Sequence, residues 1–234
     1  MISSFFHTFF YQPLYNGLIL LIDFLPWFDV GIIVVLFTII IKMVLFPLSR
    51  KSLHAQQKLK ILEPKISEIK GKIKDQQAQA EQIIALYKEN GVNPFMSILL
   101  AFIQFPIIFA LYFIFAQSGL PSVDTGILYS FVGIPQNLNM IFLGIFDVTK
   151  NSLILAVIVG VSSFFQMRIS LPAPAPGVQE NELAKSMRVQ MKYILPVMMG
   201  FFAYQISSAV SLYWATSNLF TIGQEMLLKR KPKE

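Results

Sequence analysis

Residues 31 to 48 read GIIVVLFTIIIKMVLFPL, an apolar run interrupted by one charge, Lys42, and closed by Ser49-Arg50-Lys51. It approaches the ~20 residues needed to cross a hydrocarbon core about 30 Å thick at 1.5 Å of helical rise per residue. A membrane span is the expectation. Similar stretches follow. One covers Phe95 to Ala116, begins just after Asn93-Pro94 and contains Pro106, a kink that neighbouring helices in a bundle can tolerate. Another covers Asn151 to Ile169. From Tyr193 to Leu228 the chain is almost wholly uncharged but too long for one span, so a split is expected near Gln205 to Ala209, at the polar Gln-Ile-Ser-Ser. The expected architecture is an all-α membrane protein with five transmembrane helices, the fourth unusually short.

Lysine and arginine set the orientation. Residues 50 to 88 contain nine, 168 to 192 four and 229 to 233 four, whereas residues 1 to 41 and 89 to 149 contain none. With the basic regions cytoplasmic, the N-terminus lies outside, the C-terminus inside, and five spans fit every sign. Residues 5 to 28 are apolar but broken by Pro13, Asp23 and Pro26, with almost no room for a hairpin before Gly31. Pro13 to Leu25 therefore reads as an amphipathic helix on the outer surface, within an external segment 1–30. Ile127 to Phe146 holds Gly133, Pro135, Gln136, Asn137 and Asn139 at its middle, and spanning would invert the basic 168–192 region. An interfacial external loop, 117–150, is expected instead.

The core, 31–228, includes one strongly polar insertion at 50–90. Leu59, Leu62, Ile66, Ile69 and Ile73 recur at helical spacing, Gly71 to Asp75 offer a break, and Ala80, Ile83, Ile84 and Tyr87 form a second stripe. A cytoplasmic helical hairpin follows. It is either a connector whose stripes pack on each other or a docking element, and the sequence leaves both open. In the cytoplasmic loop 170–191, Pro-Ala-Pro-Ala-Pro-Gly reads as a stiff exposed linker, and 229–234 is a basic tail. No internal repeat supports an inverted-repeat transporter.

Composition agrees: 55% of the 234 residues are hydrophobic and 14% charged, against about 25% charged in soluble domains. The net charge of +6 sits beside apolar spans, which favours anionic lipid and cytoplasmic partners over a direct nucleic-acid function. The chain has no cysteine, which excludes disulfides, thiol catalysis, Cys-ligated metal and a lipid-modified N-terminal cysteine. The N-terminus lacks the basic region of a secretory signal, so the chain is expected to be whole. His7 and His54 fit no metal spacing or triad, and no glycine-rich loop cradles phosphate, so neither enzymatic activity nor a cofactor is expected.

Lys42 is the informative group, because an ionisable residue within a span is a functional hypothesis by default. If the helix runs on to Ser49, the ammonium starts ~10 Å from the cytoplasmic end, which disfavours simple snorkelling and favours a cavity holding water. Gln104, Gln166, Gln205, Ser217, Asn218 and Gln224 on the other spans are candidates to line it. Each alone is more often an interhelical hydrogen-bonding group. Together with Lys42 they would form a damp, positively charged groove suited to polar or acidic segments of a passing chain. The ten methionines are too scattered to mark a site and read mostly as core filling.

Several stretches in order are Gln12-Pro13-Leu14, Ile41-Lys42 with Phe46-Pro47-Leu48, Leu62-Glu63-Pro64-Lys65, Ala85-Leu86-Tyr87-Lys88 with Val92-Asn93-Pro94, Ile103-Gln104-Phe105-Pro106 with Ala110-Leu111-Tyr112, Phe165-Gln166, and Leu212-Tyr213-Trp214 with Ser217-Asn218. On these the chain resembles the YidC/Oxa/Alb family of membrane protein insertases from about Gln12 to Arg230. The resemblance implies a bacterial plasma (inner) membrane protein with a five-span core, a cytoplasmic hairpin and an inner-leaflet groove closed toward the outside. It adds Tyr213 and Trp214 to the groove. It also implies nascent membrane proteins as substrates and the ribosome, the signal recognition pathway and the Sec translocon as partners. The family's usual groove cation is arginine; Lys42 keeps the charge but not the bidentate fork. The large extracytoplasmic domain of many members and the long C-terminal extension of others have no counterpart in this sequence.

The expected function is a membrane protein insertase and chaperone. The rival is a small-solute transporter or channel using Lys42 as counter-ion, and a third reading is a structural subunit of a larger complex. The charge pattern predicts that accessibility labels at Ser3, Asn137 and Ser208 read outside and those at Gln77, Gly177 and Lys233 inside; a cytoplasmic signal at Asn137 would break the five-span arrangement.

Overall fold

The computed structural model describes residues 4–116, 120–171 and 182–230. Label positions Ser3, Gly177 and Lys233, the Pro-Ala linker and most of the basic tail lie outside the described residues. The elements in order are α1 (Ser4–Phe6), α2 (Gln12–Phe24), α3 (Val30–Val44), α4 (Phe46–Lys72), α5 (Gln76–Glu89), α6 (Phe95–Ala116), β1 (Ile141–Phe142), β2 (Phe146–Asp147), α7 (Leu153–Ser170), α8 (Glu182–Val189), α9 (Leu195–Gln205) and α10 (Ser208–Arg230).

The stretch that set the fold is not one straight helix. Asp29 caps its start, its Oδ1 accepting from the Ile32 amide at 2.9 Å, but α3 ends at Val44 and the chain turns by 61° into α4. The cause is Pro47 in the first turn of α4: without an N–H it cannot extend α3, whereas a helix start, where amides lack partners anyway, accommodates it. This corrects two expectations. The first helix does not run straight to Leu48, and the helix that carries the polar stretch begins at Phe46, ahead of residue 50. Past the bend α4 continues for 27 residues through Pro64, and Asp75 caps α5 by accepting from the Gln77 and Ala78 amides.

Prolines also shape the two other deviations. The chain is helical from Ser4, not from Pro13, through a π-helical turn at His7–Tyr11 that precedes Pro13. A second π turn, Gln190–Ile194, precedes Pro196, with helical backbone at Val189 and Leu195 on either side. The helix expected to start near Tyr193 therefore continues back through α8 to Glu182. Each proline removes one amide from the regular ladder, and a π turn re-pairs the carbonyls around it. Among the described residues, α7 alone is by itself long and apolar enough to cross a membrane, and α3 with α4 passes only as a bent pair.

The principal core lies among α2, α3, α6 and the start of α10, and includes Leu18, Ile19, Ile33, Val34, Leu111 and Val210. Helix α2 is thus not merely laid on a surface: Tyr15, Leu18, Ile19 and Ile22 are its buried stripe. Residues 120–150 cap this end of the bundle. They contain a small β-hairpin, so the all-α expectation holds only for the bundle itself. Leu143 and Gly144 both have positive φ at its turn, the backbone that a type I′ hairpin turn requires. Phe142 packs so closely on the first turn of α3 that a Cβ on Gly31 would come within 2.5 Å of its ring, which requires glycine there.

Polar clamps fasten this cap. Asn16 donates to the carbonyls of Gln12 and Ile127 at 2.8 and 2.9 Å, and its Oδ1 accepts from the Tyr129 amide at 2.6 Å. The Tyr15 hydroxyl accepts from the Asp124 amide at 2.8 Å, and Asp29 Oδ2 accepts from the Leu143 amide at 3.1 Å. The Ser208 and Ala209 amides donate to the carbonyls of Lys150 and Val148 at 2.7 and 2.9 Å, satisfying two orphan donors at the start of α10. Asn16→Ala strands the Tyr129 amide, while the Ile127 carbonyl keeps its bond from Gln12 Nε2 at 3.1 Å, and should cost about 1–3 kcal/mol. Thermal unfolding in detergent should show a lower midpoint and protease should cut residues 120–150 sooner; an unchanged midpoint would mean that Asn16 does not fasten the cap.

Candidate functional site

Helix α10 holds the bundle together through side chains that hydrocarbon cannot satisfy. At 3.6 residues per turn, Tyr213, Ser217, Thr221 and Gln224 lie on one stripe and Ser211, Asn218 and Glu225 on another, roughly 100° away. The first stripe faces α6, α3 and α4 in succession. Gln104 of α6 donates from Nε2 to the Tyr213 hydroxyl at 2.5 Å. Lys42 of α3 donates from Nζ to the Thr221 hydroxyl at 3.4 Å, and Thr221 donates to the Ser217 carbonyl at 2.9 Å. Ser49 of α4 donates to Gln224 Oε1 at 2.9 Å. Tyr213, Ser217 and Gln224 are buried, and Gln224 Nε2 has no protein partner.

The second stripe faces α7 and α9. Ser211 donates to the Ala203 carbonyl at 2.9 Å. Asn218 donates to the hydroxyls of both Ser162 and Ser163, at 3.0 and 2.9 Å, and Ser170 donates to the buried carboxylate of Glu225. Close approach is possible because Gly160 of α7 meets Gly200 of α9: a Cβ on Gly200 would lie 3.2 Å from the Ala156 carbonyl.

The helices around α10 do not close on one another. Helix α6 packs on α2, α4 and α10, and α7 packs on α9 and α10, but α6 and α7 have no substantial packing between them among the described residues. On α6, Leu99, Phe102, Phe105 and Phe109 are exposed, and the three phenylalanines lie on the face turned away from Gln104.

The position of Lys42 differs from the sequence argument. With α3 ending at Val44, Lys42 lies in the last helical turn, so distance from the helix end no longer argues against snorkelling. The direction of the side chain does: Nζ crosses to α10 rather than following the chain out along α4. The structure thus brings Lys42, Gln104, Tyr213, Ser217 and Gln224 onto one stripe. Asn218 sits on the other. Gln166 is half-buried on α7, and among the described residues no hydrogen bond ties it to either stripe. Gln205 is exposed at the far end of α9, and Trp214 packs instead with Ala156, Val159, Ala203 and Ala215. Sequence reasoning missed Ser49, Thr221 and Glu225. The signal was present as the i, i+4, i+7 spacing of 217, 221 and 224 and the seven-residue spacing of 211, 218 and 225.

Among the described residues no cluster of three or more metal-ligating side chains occurs. The model of the family described as 60Kd inner membrane protein matches residues 23–234. A membrane protein insertase YidC of Clostridium tetani is 30% identical over 208 residues, 88% of this chain and 84% of that protein. The membrane protein insertase YidC of Francisella tularensis subsp. novicida is 30% identical over 201 residues, 86% of this chain but 32% of that protein, so the chain spans about a third of the longer relative. The crystal structure of an active YidC insertase with its first transmembrane domain resolved matches with a TM-score of 0.57 and 24% identity over 91% of this chain and 45% of that one, which shows the fold.

Asn218→Leu should loosen α7 from α10 by about 1–2 kcal/mol, the range of an interhelical hydrogen bond in a bilayer. A double-mutant cycle with Ser162→Ala and Ser163→Ala, read by denaturation in mixed micelles, should show coupling; strict additivity would mean that the triad does not join the helices.

Proposed function

The chain belongs to the family described as 60Kd inner membrane proteins, the YidC/Oxa family, and from that membership we propose that it is a membrane protein insertase whose Lys42 stripe forms a hydrated, positively charged groove in the inner leaflet. Five helices cross the bilayer in this reading: α3, α6, α7, α9 and α10, with the N-terminus outside and the C-terminus cytoplasmic. The capped end of the bundle then faces outside and the bend between α3 and α4 faces the cytoplasm, where the α4–α5 hairpin receives incoming chains.

The observation that carries this reading is the Lys42 ammonium turned across the bundle onto Thr221, on the stripe of α10 that also holds Gln224 with its Nε2 unpartnered. A polar segment entering hydrocarbon unaided loses its hydration at several kcal/mol per group. A passage lined by Lys42, Thr221, Ser217 and the unpartnered Nε2 of Gln224 retains water and a cation for it, so the barrier falls without any covalent step. Acidic residues in the translocated segment gain further from the charge. The exposed phenylalanines of α6 offer the apolar part of the same segment a surface on its way to lipid.

Nascent membrane proteins are the substrates in this reading. The ribosome, the signal recognition pathway and the Sec translocon are proposed partners on the cytoplasmic side, and the basic α4–α5 hairpin is the available surface for them. A solute transporter using Lys42 as counter-ion is less well supported, because the sequence carries no internal repeat of the kind such transporters are built from.

Lys42→Ala should fold, since removing a cation from a span relieves a cost of about 2.5–3.5 kcal/mol on insertion scales. It should lower insertion of substrates carrying Asp or Glu in the translocated segment by at least about fivefold, the effect of roughly 1 kcal/mol per cation. Uncharged, strongly hydrophobic substrates should be affected less. Lys42→Arg should match the native protein and Lys42→Gln should be intermediate. Equal efficiency of Lys42→Ala on paired substrates differing only in acidic residues would remove the electrostatic part of this mechanism.

A further inference from the structure

A second concavity lies between α7 and α9, and none of its lining residues belongs to α3, α6 or α10. Its floor is the Gly160–Gly200 contact, where neither helix has a side chain to fill the space. Its rims are Val157 and Val161 on one helix and Val197 and Phe201 on the other, all exposed. The volume is about 670 Å³. The furrow runs eleven residues along each helix, about 16 Å at 1.5 Å per residue. Helix α7 is itself long and apolar enough to cross a membrane, so the furrow lies at hydrocarbon depth.

One end differs chemically from the rest. There the rings of Phe164 and Tyr193 meet at 5.9 Å between centroids, and the Lys192 ammonium stands 5.3 Å from the centroid of the Tyr193 ring. Among the described residues no carboxylate lies within ion-pair distance of Lys192. Side chains on a helix lean toward its N-terminus, so Lys192 reaches away from the furrow's middle, toward the end of the bundle at which α7 finishes.

We propose that this furrow binds an anionic phospholipid, with an acyl chain along the Gly160–Gly200 floor and the phosphate held by Lys192. The apolar length is close to the ~15 Å of one leaflet's hydrocarbon, and the cation stands where a headgroup would begin. A lone cation at one end of an otherwise apolar furrow matches the layout of a phospholipid, charged head and alkyl tail, whereas a transmembrane peptide would leave Lys192 without an anion. The site is independent of the groove at Lys42, and a lipid seated there would stiffen the α7–α9 pair that α10 leans on.

The full chain, stripped of lipid in mild detergent and offered equal amounts of phosphatidylglycerol and phosphatidylcholine with the same acyl chains, should retain the anionic lipid about fivefold more by native mass spectrometry. Lys192→Gln should abolish the preference and Lys192→Arg should keep it. Val161→Trp, which fills the furrow from its exposed rim without touching the glycine contact, should lower retention of both lipids. Because the native chain has no cysteine, a photo-crosslinker on Val161→Cys in phosphatidylglycerol vesicles reports on this site alone and should yield lipid adducts. An unchanged preference in Lys192→Gln, unchanged retention in Val161→Trp, or adducts formed mainly with a second copy or another protein would overturn the proposal. Lipid retention does not depend on insertion activity, so its failure leaves the insertase reading untouched.

Discussion

The fold depends on one constraint: α10 carries hydroxyl, amide and carboxylate groups through an apolar bundle, and each must find a polar neighbour. Unpaired, each would cost kilocalories in hydrocarbon. The solution is two stripes with separate clients. Ser211, Asn218 and Glu225 engage α9 and α7, where the bonds are short, buried and joined by the glycine contact. Tyr213, Thr221 and Gln224 engage α6, α3 and α4, each through a single bond, and Gln224 keeps one donor without a protein partner. One side of α10 is therefore held by several bonds to α7 and α9, and the other by one bond to each of α6, α3 and α4.

The bend after Val44 serves the same arrangement. A straight first helix would carry Phe46 to Ser49 onward along the α3 axis. Turned by 61°, the chain instead presents Ser49 to Gln224 while Lys42, one turn before the bend, reaches Thr221. Pro47 thus sets the geometry of the contact between α4 and this stripe. At the opposite end, Asn16, Tyr15 and Asp29 fasten residues 120–150 over the core.

Much of this was legible in the sequence because the deciding signals are local. The charge-free runs located α6 and α7 within two residues at each end, and Gln-Ile-Ser-Ser marked the break between α9 and α10. Lys42, Gln104 and Ser217 stood out as polar groups in apolar surroundings. What failed were inferences that needed three dimensions. Hydropathy alone carried the first span past Pro47, since Phe46, Pro47 and Leu48 are apolar whichever way the chain turns. It started the fourth helix at Tyr193 because α8 is polar, although helical backbone continues through it. Gln205 and Trp214 looked equivalent to Gln104 and Tyr213, and only the rotation of each helix about its axis separates them. Glu225 was passed over because its partner, Ser170, lies fifty-five residues away.

The central claim is that the stripe holding Ser217 and Thr221 borders water inside the bilayer. The native chain has no cysteine, so single cysteines placed at Ser217, Thr221 and the exposed Leu219 can be compared directly in sealed, inverted membrane vesicles with a charged, membrane-impermeant thiol reagent. The account predicts modification at 221 and 217, slowed by a bound substrate segment, and none at 219, which faces lipid. Protection of all three positions, or equal reaction at 219, would contradict it.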